Sequence, residues 1–204
     1  MLTPDVLRLV AITDDARDGI EGLVARARAA TRGGATMVQL RLKYATSREL
    51  LATARALVAG LPVPVIVNDR ADIALAAGAA GVHLGVDDLP VAAVRAMAPT
   101  GFIIGASFGG AAELAHARGA DYVGIGPVYG TASKADAGEA IGVEGFARLR
   151  AMIDAPAVAI GGVDETNAGA LREAGAAGIA VIRALFGASD PEGAARRLRR
   201  GFGG

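Results

Sequence analysis

The stretch Gly34-Ala35-Thr36-Met37-Val38-Gln39-Leu40-Arg41-Leu42-Lys43 contains the unit from which the fold is read. A small-residue step comes first, a short apolar run (Met37–Leu40) follows, and polar side chains come directly after it. The step recurs at Gly78-Ala79, Gly119-Ala120 and Gly175-Ala176, ahead of the runs Val82–Leu84, Tyr122–Ile125 and Ile179–Ile182. A glycine at the end of a helix can take the left-handed conformation that stops it. Four further runs lie between these: Leu9–Ile12, Val63–Val67, Phe102–Ile104 and Ala157–Ile160. Pro62 and Pro64, Pro99-Thr100-Gly101, and Pro156 introduce the last three.

Ala-rich stretches of helical length separate the runs, near 19–32, 47–59, 70–78, 88–97, 110–118, 143–152, 165–174 and 190–201. Eight strands alternating with eight helices are the pattern of a parallel α/β sheet. A two-unit repeat made four times fits closure, so the expected fold is a (β/α)8 TIM barrel forming a single compact domain over 1–204. An open doubly wound sheet is the alternative. No G-x-G-x-x-G follows the first strand, which argues against its dinucleotide-binding version.

Composition narrows the function. Lys plus Arg equals Asp plus Glu at 21 each, so there is no basic excess for nucleic acid. The cluster Arg196, Arg197, Arg199 and Arg200 reads as the solvated face of a terminal helix. The absence of cysteine removes disulfides, thiolate metal sites and thiol nucleophiles. Residues 1–13 lack the basic start and long apolar core of a signal peptide. No apolar run approaches the roughly 20 residues that span a bilayer. The expectation is a cytoplasmic protein with no membrane and no nucleic-acid partner, its oligomeric state left open.

In a parallel barrel the active site lies at the strand C-termini, and the polar residues collect there. Gln39, Arg41 and Lys43 alternate, which puts them on one side of the strand-two end, where two cations and an amide make an anion site. Asn68-Asp69-Arg70 follows strand three and Gly85-Val86-Asp87-Asp88 follows strand four. Each aspartate fits a helix cap; together, beside Arg41 and Lys43, Asp69 and Asp88 also suit Mg²⁺, which takes one or two carboxylates plus substrate phosphate oxygens. Strand five ends at Ser107. The long loop 126–138 carries Thr131, Ser133 and Lys134, two hydroxyls and a cation suited to gripping phosphate. Gly161-Gly162, and Val181-Ile182-Arg183 after strand eight, fall where barrels hold phosphate on backbone N–H groups. His83 reads as a satisfied core or rim imidazole and His116 as a surface residue near a helix end. No Ser–His–Asp arrangement emerges.

Five motifs then occur in order: Val38-Gln39-Leu40-Arg41-Leu42-Lys43, Asn68-Asp69-Arg70-Ala71-Asp72, Gly81-Val82-His83-Leu84-Gly85, Gly124-Ile125-Gly126-Pro127-Val128-Tyr129 and Ala159-Ile160-Gly161-Gly162-Val163. From near residue 8 to near residue 187 the chain resembles the thiamine phosphate synthase family, whose sister family is thiazole tautomerase. The resemblance implies a transferase of thiamine biosynthesis acting on small phosphorylated substrates. It would couple 4-amino-2-methyl-5-hydroxymethylpyrimidine diphosphate to a thiazole phosphate through a pyrimidine-methyl cation. By the same resemblance Arg41, Lys43 and Lys134 hold the diphosphate, and Asp69 and Asp88 hold Mg²⁺. Gln39 and Asn68 orient the pyrimidine, and Ser107 sits by the reacting carbon. Thr131, Ser133, Gly162, Val181, Ile182 and Arg183 take the thiazole phosphate.

The chain departs from the family pattern at three places. Phe108-Gly109 follows Ser107 where a histidine is frequent, Arg183 follows Ile182 where serine is usual, and Tyr44 replaces a common acidic residue. Three rival readings stand beside the synthase: a tautomerase, a non-catalytic barrel that regulates a partner, and an unrelated phosphate-binding barrel such as an epimerase. The tautomerase reading needs an acid–base histidine where this chain has Pro127.

Overall fold

The computed structural model describes residues 3–13, 16, 18–130 and 138–204. Its strands are β1 (Leu9–Ile12), β2 (Met37–Leu40), β3 (Val65–Asn68), β4 (Gly81–Leu84), β5 (Ile103–Ser107), β6 (Tyr122–Ile125), β7 (Ala157–Ile160) and β8 (Gly178–Val181). They close in chain order, each parallel to the next, and β8 returns to β1 through Val10↔Ala180. The barrel is the expected one, and the open sheet is excluded.

The helices are α1 (Pro4–Leu7), α2 (Gly19–Arg32), α3 (Ser47–Gly60), α4 (Ala71–Ala77), α5 (Val91–Met97), α6 (Leu114–Ala117), α7 (Gly142–Arg150), α8 (Ala168–Glu173), α9 (Arg183–Phe186) and α10 (Pro191–Gly201). The Gly-Ala steps end helices as expected, with φ of +109°, +68°, +82° and +88° at Gly34, Gly78, Gly119 and Gly175. At three of them the alanine N–H reaches back five residues, Ala35 to Ala30, Ala79 to Ala74 and Ala176 to Leu171, which consumes helix-end carbonyls. At its start α3 carries a reciprocal box. Thr46 accepts from the Glu49 N–H, and the Thr46 N–H donates to the Glu49 carboxylate.

Several boundaries differ from the sequence expectation, each for a local reason. β3 begins at Val65 rather than Val63 because Pro64 has no N–H to donate; only its carbonyl joins the ladder, accepting from Val38. Pro90 delays α5 to Val91, so Asp88 belongs to a turn. The 110–118 helix is instead a 3-10 turn (Ala111–Glu113) running into the single turn of α6. Asp164–Asn167 fold into a side-chain-bonded turn, which shortens the 165–174 helix to α8. α1 and α9, four residues each, are too short to show a period.

Alternate strand residues face outward into the helix layer and inward into the barrel. The inward apolar cluster is Val10, Ile12, Met37, Ile66, Tyr122, Val158 and Ala180, closed from below by Leu7 of α1. His83, Gly105 and Tyr122 lie in one row, since His83 pairs with Gly105 and Gly105 with Tyr122. The Tyr122 ring crosses the bare Gly105 backbone to reach His83. A Cβ on Gly105 would stand 2.2 Å from Cζ of Tyr122. Gly105→Ala is therefore expected to lower unfolding stability by about 1–3 kcal/mol through overpacking, read from urea denaturation midpoints. An unchanged midpoint would mean that the ring does not cross that residue.

Candidate active site

The C-terminal ends of the strands open into one cavity of about 1870 Å³, larger than a single drug-sized ligand fills. Its wall includes Gln39, Arg41, Lys43, Asn68, Asp69, Asp88, Ser107, Gly162, Val181, Ile182 and Arg183. Every described residue that the sequence assigned to the site thus reaches one space. Thr131, Ser133 and Lys134 lie outside the described residues.

The first group stands on adjacent strands. Gln39 is 4% exposed and points into the barrel, while Arg41 and Lys43 follow the end of β2. Thr13, fully buried, pins that end: its hydroxyl accepts from the Arg41 N–H (2.8 Å) and donates to the Arg41 carbonyl (3.1 Å). Asn68 closes β3, and Asp69 after it adopts a left-handed backbone at φ +64°, the one non-glycine to do so among the described residues. Such a conformation costs on the order of 1 kcal/mol or more and is found preferentially at functional sites. Asp69 is not the N-cap residue of α4: that position is held by Arg70, whose side chain makes no cap bond. Arg70 itself forms a two-pronged pair with Asp72 (2.8 and 2.6 Å), which holds the Arg70 guanidinium above its ordinary range and the Asp72 carboxyl below its own.

Asp88 does not cap α5 either. One carboxylate oxygen accepts from the Gly85 N–H at 2.6 Å, closing the turn after β4. Neither aspartate occupies the N-cap position of the helix that follows it. No group of three His, Cys, Asp or Glu suited to a metal occurs among the described residues. Two hard carboxylates on neighbouring strand ends, open to substrate oxygens, nevertheless match what Mg²⁺ takes.

Ser107 ends β5 and belongs to a partly buried polar chain that the sequence did not reveal. His83 bridges Tyr122 (Nδ1 to hydroxyl, 3.0 Å) and Ser107 (Nε2 to Oγ, 3.3 Å), and its ring lies 5.6 Å from that of Tyr122. Burial pushes the Tyr122 phenol well above its ordinary value, partly offset by a hydrogen bond from Gln39. The rim-imidazole reading of His83 fits, but its partners come from strands remote in sequence. A Cβ on Gly124 would stand 3.2 Å from Cε1 of His83, so this glycine also leaves room for the chain. His116, expected at the surface, is half-buried, and its Nε2 is enclosed without a hydrogen-bond partner among the described residues.

The second group faces the first across the mouth. Gly161 and Gly162 after β7 have φ of +97° and +64°. The helix that follows this pair, α8, starts at Ala168. Arg183 opens the single turn of α9 directly after β8, is exposed, and makes no ion pair with a described residue.

A family model described as thiamine monophosphate synthase matches residues 9–185. The chain belongs to the thiamine monophosphate synthase family. The thiamine-phosphate synthase of Azorhizobium caulinodans is 47% identical over 201 residues, covering 96% of this chain and 95% of that protein. That of Syntrophomonas wolfei is 46% identical over 197 residues, 94% of each. The thiamine phosphate pyrophosphorylase structure from Pyrococcus furiosus superposes with a TM-score of 0.85 at 38% identity, covering 98% of this chain and 96% of that one. A 3-hexulose-6-phosphate synthase, at TM-score 0.74 and 22% identity, shares the fold.

In this member of the thiamine monophosphate synthase family the buried phenol has a thermodynamic signature. The unfolded chain releases the Tyr122 proton near pH 10.0 and the folded chain well above it. This group leaves stability untouched at neutral pH and lowers it as pH rises past that value. Tyr122→Phe is expected to remove that part of the alkaline slope. At pH 7 it should cost about 1–2 kcal/mol, because Gln39 and His83 each lose a partner. Chemical denaturation at pH 7 and pH 11 reads both effects.

Proposed function

We propose that the protein couples 4-amino-2-methyl-5-hydroxymethylpyrimidine diphosphate with a thiazole phosphate, giving thiamine phosphate and diphosphate. The observation that carries this reading is the pair of anion-receptive arcs, β2–β5 and β7–β8, facing each other across one cavity. The relatives named thiamine-phosphate synthase support it along nearly the whole chain.

In this reading the bond between the pyrimidine methylene carbon and its diphosphate oxygen breaks first. The electron pair leaves with the diphosphate, and the thiazole nitrogen supplies the pair that forms the new C–N bond. No general acid–base dyad is needed; charge must be stabilised where the leaving group develops it. Arg41 and Lys43 receive the diphosphate, joined by Lys134. Gln39 and Asn68 orient the pyrimidine, and Ser107 stands at the leaving oxygen. Asp69 and Asp88 would hold Mg²⁺, which supplies positive charge against the diphosphate. Gly162, Val181, Ile182 and Arg183, with Thr131 and Ser133, receive the thiazole phosphate. Arg183 replaces a neutral donor by a charge-assisted one. Soluble small-molecule chemistry of this kind suits the cytoplasm, and no helix among the described residues is long and apolar enough to cross a membrane.

The test is product formation from the two halves with and without Mg²⁺, detecting thiamine phosphate and released diphosphate. Mg²⁺-dependent coupling is expected; binding of either half without turnover would favour a regulatory barrel. Asp69→Asn and Asp88→Asn should each raise the Mg²⁺ needed for half-maximal rate by about tenfold, equivalent to about 1.4 kcal/mol. Unaltered metal dependence would remove both residues from the metal site. Lys134→Ala should depress turnover while leaving the thermal transition in place.

A further inference from the structure

Asn167 stands at the position before α8 where a side chain ordinarily caps a helix, yet it makes no cap bond. Asp164 binds the turn instead, accepting from the Thr166 N–H (2.8 Å), the Thr166 hydroxyl (2.6 Å) and the Asn167 N–H (3.3 Å). The Asn167 amide is turned back toward β7. Its Nδ2 donates to the Gly162 carbonyl at 3.0 Å, and its Oδ1 accepts from the Asp164 N–H at 2.9 Å. Its own carbonyl accepts from the Tyr129 hydroxyl at 3.2 Å. Burial and the nearby Asp164 carboxylate both raise the Tyr129 pKa, so the phenol remains a donor. A further rung ties the Tyr129 N–H to the Gly161 carbonyl at 3.0 Å.

These bonds strap the glycine turn between the ends of β6 and β7. The turn is sterically unforgiving. A Cβ on Gly162 would lie 2.6 Å from the Gly130 carbonyl oxygen and 2.7 Å from Cβ of Tyr129, on top of the left-handed φ. With its carbonyl held by Asn167, Gly162 borders the cavity, and its N–H has no acceptor among the described residues. A half-buried N–H without a partner is an anion donor held in place.

We propose that Asn167, assisted by Tyr129, is a positioning residue that sets the Gly162 N–H toward the phosphate of the second substrate; this rests on the coupling reaction proposed above. Asn167 touches no substrate itself. Its amide is matched to the turn on both sides, donor to carbonyl and acceptor to N–H. Asn167→Asp keeps the acceptor but places a carboxylate oxygen against the Gly162 carbonyl, so the strap opens.

The test follows the Gly162 amide in the ¹⁵N-glycine-labelled full chain while inorganic phosphate is titrated, alongside steady-state kinetics. The wild-type amide should shift on phosphate addition. In Asn167→Asp and Tyr129→Phe its midpoint should rise, by about tenfold or more in the former and severalfold in the latter. Under coupling conditions KM for the thiazole phosphate should rise by the same factor. KM for the pyrimidine diphosphate and kcat at saturation should stay within about twofold, a split that general loosening of the barrel would not give. Wild-type titration in both variants would overturn the positioning role while leaving the coupling reaction intact. A wild-type Gly162 amide that ignores phosphate would overturn the anion role of the turn. If Asn167→Asp fails to fold, Tyr129→Phe, which removes only a hydroxyl, decides the matter alone.

Discussion

The geometry depends on how few residues face the inside of this barrel. The strands are four residues long, five in β5, so most contribute two inward positions. The lower positions go to apolar side chains and the Tyr122 ring, with Leu7 of α1 closing the floor. The upper ones are therefore the site, because no third layer separates them from the mouth. Closure removes every free sheet edge, which lets strands this short persist. It also fixes the register that brings His83, Gly105 and Tyr122 into one row. Bare positions at Gly105 and Gly124 supply the room in which polar side chains from other strands meet.

The fold was legible because its signals are local. An apolar run of strand length, a Gly-Ala stop and a helical spacing recur around the barrel, and the stops proved to be left-handed glycines with back-bonded alanines. Boundaries failed where a side-chain or proline constraint outweighed periodicity, as at Pro64, at Pro90 and in the Asp164–Asn167 turn. For the site, residues just past strand ends were recoverable, because the barrel sends all strand C-termini to one face. His83, Tyr122 and Thr13 were not. Each is part of an apolar run, or at its edge, and shows its purpose only through partners far along the chain: Thr13 on Arg41, Tyr122 on His83, His83 on Ser107. Pairing across strands has no period that one sequence reveals.

A chain with no net charge can still hold anions if its cations are gathered and its backbone donors aimed. Here the two arcs of the mouth differ in kind. The β2–β5 arc carries side-chain charge, Arg41 and Lys43 beside Asp69 and Asp88. In the proposed coupling the β7–β8 arc would rely on backbone N–H groups of a glycine turn, with Arg183 as its described cation. A diphosphate gaining charge as it departs calls for the charged arc. A phosphate that stays attached throughout needs position more than charge compensation, which fixed backbone donors provide at little entropic cost.

The partly buried polar chain inside the barrel has a direction. The bond to Gln39 works against the upward shift of the Tyr122 phenol, as donation to the phenol oxygen would. A phenol that donates to Nδ1 of His83 leaves Nε2 as the N–H facing Ser107, one of the two tautomers these contacts admit. A serine oxygen that accepts from this N–H keeps its own proton for an acceptor in the cavity. The order runs outward from the packed end, where Gln39 and Tyr122 are buried, to Ser107, which borders the cavity. A hydroxyl set as a donor suits the oxygen of a departing diphosphate, which needs hydrogen bonds as charge accumulates rather than a proton removed. In that tautomer, and in the proposed coupling reaction, the histidine orients the serine without acting as its base, so a Ser–His contact does not by itself make the arrangement of a hydrolase.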